Sequence, residues 1–372
     1  MVFLLLTCFL SCSYNIYANV FSPSPIQKTG DNKADKYVVA LDDIINNSFW
    51  RASESETKQL IDQLFNLGKE KNDNYAIAVA HLYYARFYER AQDIVRAKRY
   101  AALALSYYDR TGNQLGICKT LRQQGFIAFK SSNMELALDL AYKAFDISEK
   151  LNNPVQEGLC LSQLGLFIFG TQVDEGIQVF TKGFNLLVSS GAKRDASIAA
   201  VTLSTLYLNI ADIPKAKHYI DTFFILQKGF NDFVLLADGK GNASLIALAL
   251  GKQKEAERYL EESGEYFYRI NSDVLKAKFH RTRSIFFRDS KRYAEAIEAA
   301  QTGLAYLKDV EGKKKKKGML QYTLFLSYKG LQKFDLAIAA YEEAVNHEFN
   351  QYDEQSQLGI ANVKEKYETE KK

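Results

Sequence analysis

One three-residue signature returns seven times along the chain. A small residue is followed four and seven positions later by two further packing residues: Ala97/Ala101/Ala104, Ala137/Ala141/Ala144, Gly176/Phe180/Gly183, Ala216/Ile220/Phe223, Ala256/Leu260/Ser263, Ala296/Ala300/Gly303 and Ala337/Tyr341/Ala344. The lead residues are separated by 40, 39, 40, 40, 40 and 41 positions. Offsets of three and four place the residues of each set on one helical face, and their small size lets a second helix come close. A period of this length means that each unit is one supersecondary element that cannot bury its apolar face alone. Stacked neighbours must complete the core.

The partner helix of each unit lies just upstream, in "AIAVAHLYYARFYERA", "GICKTLRQQGFIAFK", "GLCLSQLGLFIFG", "SIAAVTLSTLYLNI", "NASLIALALG", "KFHRTRSIFFRD" and "MLQYTLFLSYKG". About twelve residues before six of the leads stand Ala85, Gly125, Gly165, Ser204, Ser244 and Ser284. The seventh unit has Phe325 at that place, so its two helices are expected to splay or to shift register. With only four prolines, the chain is suited to long uninterrupted helices.

From Ala78 to about Phe349 these small and aromatic positions resemble the tetratricopeptide (TPR) repeat in a 40-residue variant. The resemblance implies an all-α fold, a TPR-like superhelical solenoid of stacked antiparallel helix pairs, with a concave groove lined by the first helix of each pair. The expected organisation is a signal peptide over 1–18, a linker over 19–34, an N-terminal capping helix pair over 35–72, seven repeats over 73–350 and a charged helix over 351–372. Local signals agree. Asn153-Pro154 offers an N-cap with proline at the first helical position, and Gln156 stands where a capping-box partner would. Gly112, Gly191 and Gly312 fall just past second helices, where a left-handed residue is wanted.

The N-terminus carries no charged side chain before Lys28, holds an apolar core from Val2 to Leu10 and ends in Ile16-Tyr17-Ala18. This predicts export with cleavage after Ala18 and a periplasmic or secreted protein. The alternative is a membrane-anchored lipoprotein with its lipid on Cys12, behind Phe9-Leu10-Ser11. Beyond this segment no stretch has the 18 apolar residues needed to span a bilayer, so a membrane contact is expected only through Cys12 or a partner. Cleavage would leave Cys118 and Cys160, read either as small buried apolar side chains or as a disulfide between neighbouring repeats.

Formal net charge is +4, but the run Lys313–Lys317 alone contributes five positive charges, leaving −1 elsewhere. Nucleic-acid binding is therefore disfavoured as the main activity. By repeat phase the run is the joint between units six and seven, with its later lysines opening the next helix against the positive helix pole.

Catalytic chemistry is not indicated. His81, His218, His280 and His347 are far apart and lack metal-site spacing, so surface or groove roles are expected, with no metal and no cofactor. "ADGKGNAS", Ala237 to Ser244, lacks the order of a phosphate-binding loop and is read as a flexible helix start. No serine or carboxylate sits in a nucleophile-elbow or paired-acid context.

With the first helices facing inward, as the resemblance implies, the groove has basic ends. The early repeats supply Arg86, Arg90, Lys119, Arg122 and Lys130, and the sixth supplies Lys278, Arg281 and Arg288. Between them an apolar floor is expected from Leu159, Leu166, Phe169, Ile198, Val201, Leu208, Leu245 and Leu248. Such a groove suits a polypeptide partner with acidic flanks. The closing "VKEKYETEKK", with the export signal and the 40-residue period, also resembles the exported repeat region of Bacteroidota-type sensor kinases and LuxR-like regulators. That implies a non-catalytic peptide-binding sensory module, without the membrane helix or output domain of those proteins. The alternative is a cytoplasmic scaffold or nucleic-acid-associated regulator using Lys313–Lys317.

Overall fold

The structure is a computed structural model and describes residues 40, 41, 44, 45 and 54–347, apart from 92, 132, 171, 229–231, 270–271 and 309–313. The expected signal peptide, linker and C-terminal charged helix lie outside the described residues, as do Gly312 and Lys313. Within them the fold is all-α: α1 (Glu54–Glu70), α2 (Asn74–Arg90), α3 (Ile94–Arg110), α4 (Gln114–Lys130), α5 (Met134–Lys150), α6 (Pro154–Phe169), α7 (Val173–Ser189), α8 (Lys193–Asn209), α9 (Ile213–Leu226), α10 (Phe233–Ala249), α11 (Gln253–Tyr268), α12 (Asp273–Asp289), α13 (Tyr293–Tyr306), α14 (Lys314–Gly330) and α15 (Phe334–Asn346). From α2 onward they run as seven antiparallel pairs, the helical-repeat solenoid expected from the period.

The described helices fall into two compact units. The first runs through Tyr207 and includes Pro214–Leu235; the second takes Leu208–Ile213 and everything from Leu236. In both units the repeat signature is interior. Ala97, Ala101 and Ala104 on α3, and Ala137, Ala141 and Ala144 on α5, have no exposed surface. Opposite them, Ala85, Ser204, Ser244 and Ser284 on the first helices are likewise closed off. Three of the interior serine and threonine side chains satisfy their hydroxyls on backbone: Ser284 on the Ala296 carbonyl at 2.6 Å, Ser263 on that of Ala237 at 2.7 Å, and Thr120 on that of Gly116 at 2.8 Å.

The joints are equally regular. Asp73, Asp93, Asn113, Asn133 and Asn153, spaced by twenty, cap the helices that follow them by accepting from a backbone amide two or three residues on. The residue before the cap is often left-handed: Asn72, Gly112, Asn152 and Gly191 have φ of 52°, 62°, 47° and 72°. The amides of Asp93, Asn113 and Asn133 close back onto the carbonyls of Tyr88, Tyr108 and Ala128 at 2.9, 3.0 and 3.0 Å. Each of these five joints thus satisfies the end of one helix and the start of the next with three residues, and helices of 16 or 17 residues joined in this way repeat as pairs about every forty.

The second unit corrects two expectations. Phe325 does not splay its pair: it is 4% exposed, with its ring 5.3 Å from that of Tyr341, and α14 and α15 pack as the other pairs do. "ADGKGNAS" is not a helix start but the middle of α10, where tertiary burial outweighs two glycines. Helix α14 begins at Lys314, so four of the five lysines lie in its first turn, and Lys317 Nζ donates to the Lys308 carbonyl at 3.2 Å, past the end of α13.

Candidate functional site

The first helices of the four leading repeats bring charged and amide side chains together in the first unit. Arg86 comes from α2, Lys119 and Arg122 from α4, Gln156 and Gln163 from α6, and Arg194 and Asp195 from α8. Arg122 Nη1 donates to Gln156 Oε1 at 3.3 Å, and Gln163 Nε2 donates to the Arg122 carbonyl at 2.8 Å. Asn153 caps α6 through the Gln156 amide, while the Gln156 side-chain oxygen faces Arg122, so this glutamine serves the inner face and not only the capping box expected of it. Arg194 pairs with Asp232 at 3.1 Å, and Lys130 forms an ion pair with Glu89 of α2.

Asp195 is the focus of this face. Burial raises its carboxyl to about 6, against the opposing pull of Arg194, Arg122, Lys119 and Arg86. That ranking says that an acid surrounded by four cations still finds the charged form poorly solvated. The cations feel the same environment: burial lowers Arg86 to about 10 and lowers Arg122 as well. Both arginines are 6% exposed, while Lys119, Arg194 and Asp195 remain partly open to solvent. Among the named residues five cations face three carboxylates, Glu89, Asp195 and Asp232. The face therefore carries a positive excess.

The structure redistributes the expected groove. Arg86, Lys119 and Arg122 gather around Asp195, while Lys130 is committed to Glu89 and Arg90 is half-buried at the end of α2. In the second unit Lys278 is paired with Asp238 at 2.6 Å, Arg288 with its neighbour Asp289 at 2.6 Å, and Arg281 is 5% exposed. Two of the three cations of that end therefore have carboxylate partners of their own and the third is buried, unlike the open basic terminus expected. The apolar floor is also corrected. Leu159, Leu166, Phe169, Ile198, Val201, Leu208 and Leu245 are at most 6% exposed, because close helix packing turns them into core; Leu248 alone is half-buried.

Two histidines expected at the surface or groove are interior. His81 lies among the rings of Phe65, Tyr100 and Tyr107 at 5.2 to 5.7 Å, and His280 lies 3.0 Å from Tyr268 Oη. Burial lowers both to about 4, helped by Lys69 and Arg283 respectively. Asp195 and the inward role of Gln156 are not legible in the sequence: both residues occupy early positions of first helices, and only the charge of the neighbouring repeats gives them meaning. Among the described residues no three potential ligand side chains gather as a metal site, and no helix is long and apolar enough to cross a membrane.

No family model matches the sequence, and no curated protein matches it. Solved structures do share the fold. A Rap protein complexed with competence and sporulation factor is 10% identical, with 95% of this chain and 97% of that chain covered and a TM-score of 0.66. The Rap conjugation gene regulator of plasmid pLS20, in complex with the Phr* peptide, is 15% identical over 94% and 95% of the two chains, at 0.60. NprR in complex with its cognate peptide NprX is 16% identical over 84% and 89%, at 0.54. At these identities the likeness is one of fold.

Proposed function

We propose that this protein is a non-catalytic interaction scaffold that binds an extended polypeptide, seating an acidic segment against the basic face of the first unit. The observation that carries this reading is the gathering of Arg86, Lys119, Arg122 and Arg194 around Asp195, drawn from the first helices of repeats one, two and four. The peptide complexes of the Rap and NprR proteins support the reading as analogies of scaffold. A carboxylate entering here would meet charge-assisted donors in a poorly hydrated setting, where each such bond is stronger than at an open surface.

The test is fluorescence anisotropy with an acidic twelve-residue peptide and its Gln/Asn counterpart. The acidic peptide should bind more tightly, and Arg122→Met should weaken it about tenfold, roughly 1.4 kcal/mol. Affinity should rise as pH falls from 7.5 to 5.5. Over that window Asp195, with its carboxyl near 6, becomes neutral and leaves the cations less compensated, while peptide glutamates stay ionised. Asp195→Asn should flatten the profile. Equal binding of both peptides would sink the proposal.

The same proposal includes export. The apolar N-terminal core and Ile16-Tyr17-Ala18 support processing after Ala18, with a lipid on Cys12 as the alternative, and a sensory role like that of exported repeat regions in Bacteroidota-type sensors. Cell fractionation with intact-mass measurement should find a processed chain in the envelope or medium; an unprocessed cytoplasmic chain would refute export.

A further inference from the structure

The two cysteines of the described chain face each other across neighbouring repeats. Cys118 on α4 and Cys160 on α6 are 42 positions apart in sequence, and their Sγ atoms lie 4.0 Å apart. Neither has any exposed surface. Ala144 completes their cluster, with Leu121, Phe145 and Ile147 packed against it, and Cys118 Sγ also contacts the Ala144 carbonyl at 3.3 Å. One turn further along, Gln163 Nε2 binds the Arg122 carbonyl at 2.8 Å, so α4 and α6 are already held in register beside the thiols.

We propose that Cys118 and Cys160 are a modification site: an intramolecular disulfide that clamps the first helix of the second repeat to that of the third. Closing the sulfurs to bonding distance requires an approach of about 2 Å, the scale of side-chain rotation with a small adjustment of the helices. The oxidant is a low-molecular-weight or protein disulfide. The Cys118 thiolate attacks one of its sulfurs, forming a mixed disulfide and expelling one thiol. The Cys160 thiolate then attacks the Cys118 sulfur, forming the intramolecular bond and expelling the second. Two protons and two electrons leave the pair, and the external disulfide is reduced to two thiols.

The surroundings decide the order. The contact with Cys160, with Arg122 and Lys119 nearby, favours the thiolate at Cys118, whereas burial disfavours it at Cys160. Entry of the oxidant requires local opening between repeats, which neighbour-only packing makes accessible. Because Arg122 follows Cys118 by one turn and Gln156 precedes Cys160 by one turn, the clamp also fixes the spacing of the Arg122–Gln156 contact.

The experiment incubates the full chain, folded, with oxidised glutathione, blocks remaining thiols and maps tryptic peptides. The expected result is a cross-link between peptides 111–119 and 151–182, two mass units below their sum. The oxidised chain should melt higher than the reduced one by on the order of 5–10 °C, as closing a loop of this length implies. Cys160→Ala should lose the cross-link and the shift and retain glutathione on Cys118. If Cys118 and Cys160 of the unaltered chain both stay alkylatable, or glutathione remains on Cys118 without passing to Cys160, the proposal is overturned; this readout does not depend on the variant's folding.

Discussion

Gly165→Ala should destabilise the first unit by about 3 kcal/mol and lower its melting temperature by roughly 6–10 °C, even though alanine is the better helix former by about 1 kcal/mol. A Cβ at this position of α6 would lie 2.5 Å from the Phe180 amide nitrogen and 2.6 Å from the Gly176 carbonyl oxygen of α7. Those are backbone atoms of α7, which cannot turn aside as the end of a flexible side chain could. Gly176 is equally tight, since a Cβ there would reach Phe169 N and Cα at 2.5 Å. The pair can accept neither methyl without moving apart along its length. Gly170 is the control: at φ −63° its added Cβ would meet only the Phe167 carbonyl at 3.8 Å, so Gly170→Ala should leave stability unchanged or slightly higher. Thermal melts of the two variants check this; a neutral Gly165→Ala would mean that α6 and α7 are not in backbone contact.

Acidification from pH 7 to pH 4.5 should cost about 2.5 kcal/mol of stability at His81 and a similar amount at His280. Burial depresses both imidazoles to about 4, against an ordinary value of 6.5. The folded protein then binds fewer protons than the unfolded chain between those values. Each histidine's share is complete above about pH 6.5 and is lost as pH falls towards 4. For His280 the neutral ring can accept the Tyr268 hydroxyl, an arrangement that protonation removes. Asp195 acts in the opposite sense. Its carboxyl is raised to about 6, so its share is present at low pH and lost as pH rises through that value, offsetting most of one histidine. Urea titrations at pH 7 and 4.5 should therefore show a steeper acid loss in Asp195→Asn and a shallower one in His81→Phe and His280→Phe. Unchanged acid sensitivity in both histidine variants would place the imidazoles in solvent.

Much of the fold is legible in the residues alone because the period repeats one solution seven times. Ala97 and its six counterparts identify the contact face, and the turn residues at Asn153, Gly112 and Gly191 identify the joints. These are local preferences: a helix start favours a capping side chain, a left-handed residue favours glycine or asparagine, and a close crossing favours a small side chain. The site is less legible. Periodicity says which helix a side chain belongs to, but Leu166, Phe169 and Leu208 could line a groove or fill the core with the same spacing, and the distance between neighbouring helices decides for the core.

Charge follows the same division. Sequence alone determined that Arg86, Lys119 and Arg122 belong to first helices, and also Lys278 and Arg288. Only tertiary structure decided that Asp238 compensates Lys278 from forty residues away, while Asp195 gathers the former three from different repeats. The physical reason is range. Caps, turns and helix faces are set within about four residues of the chain, but a carboxyl's solvation and partners depend on everything within several ångströms of it, whichever repeat supplies them.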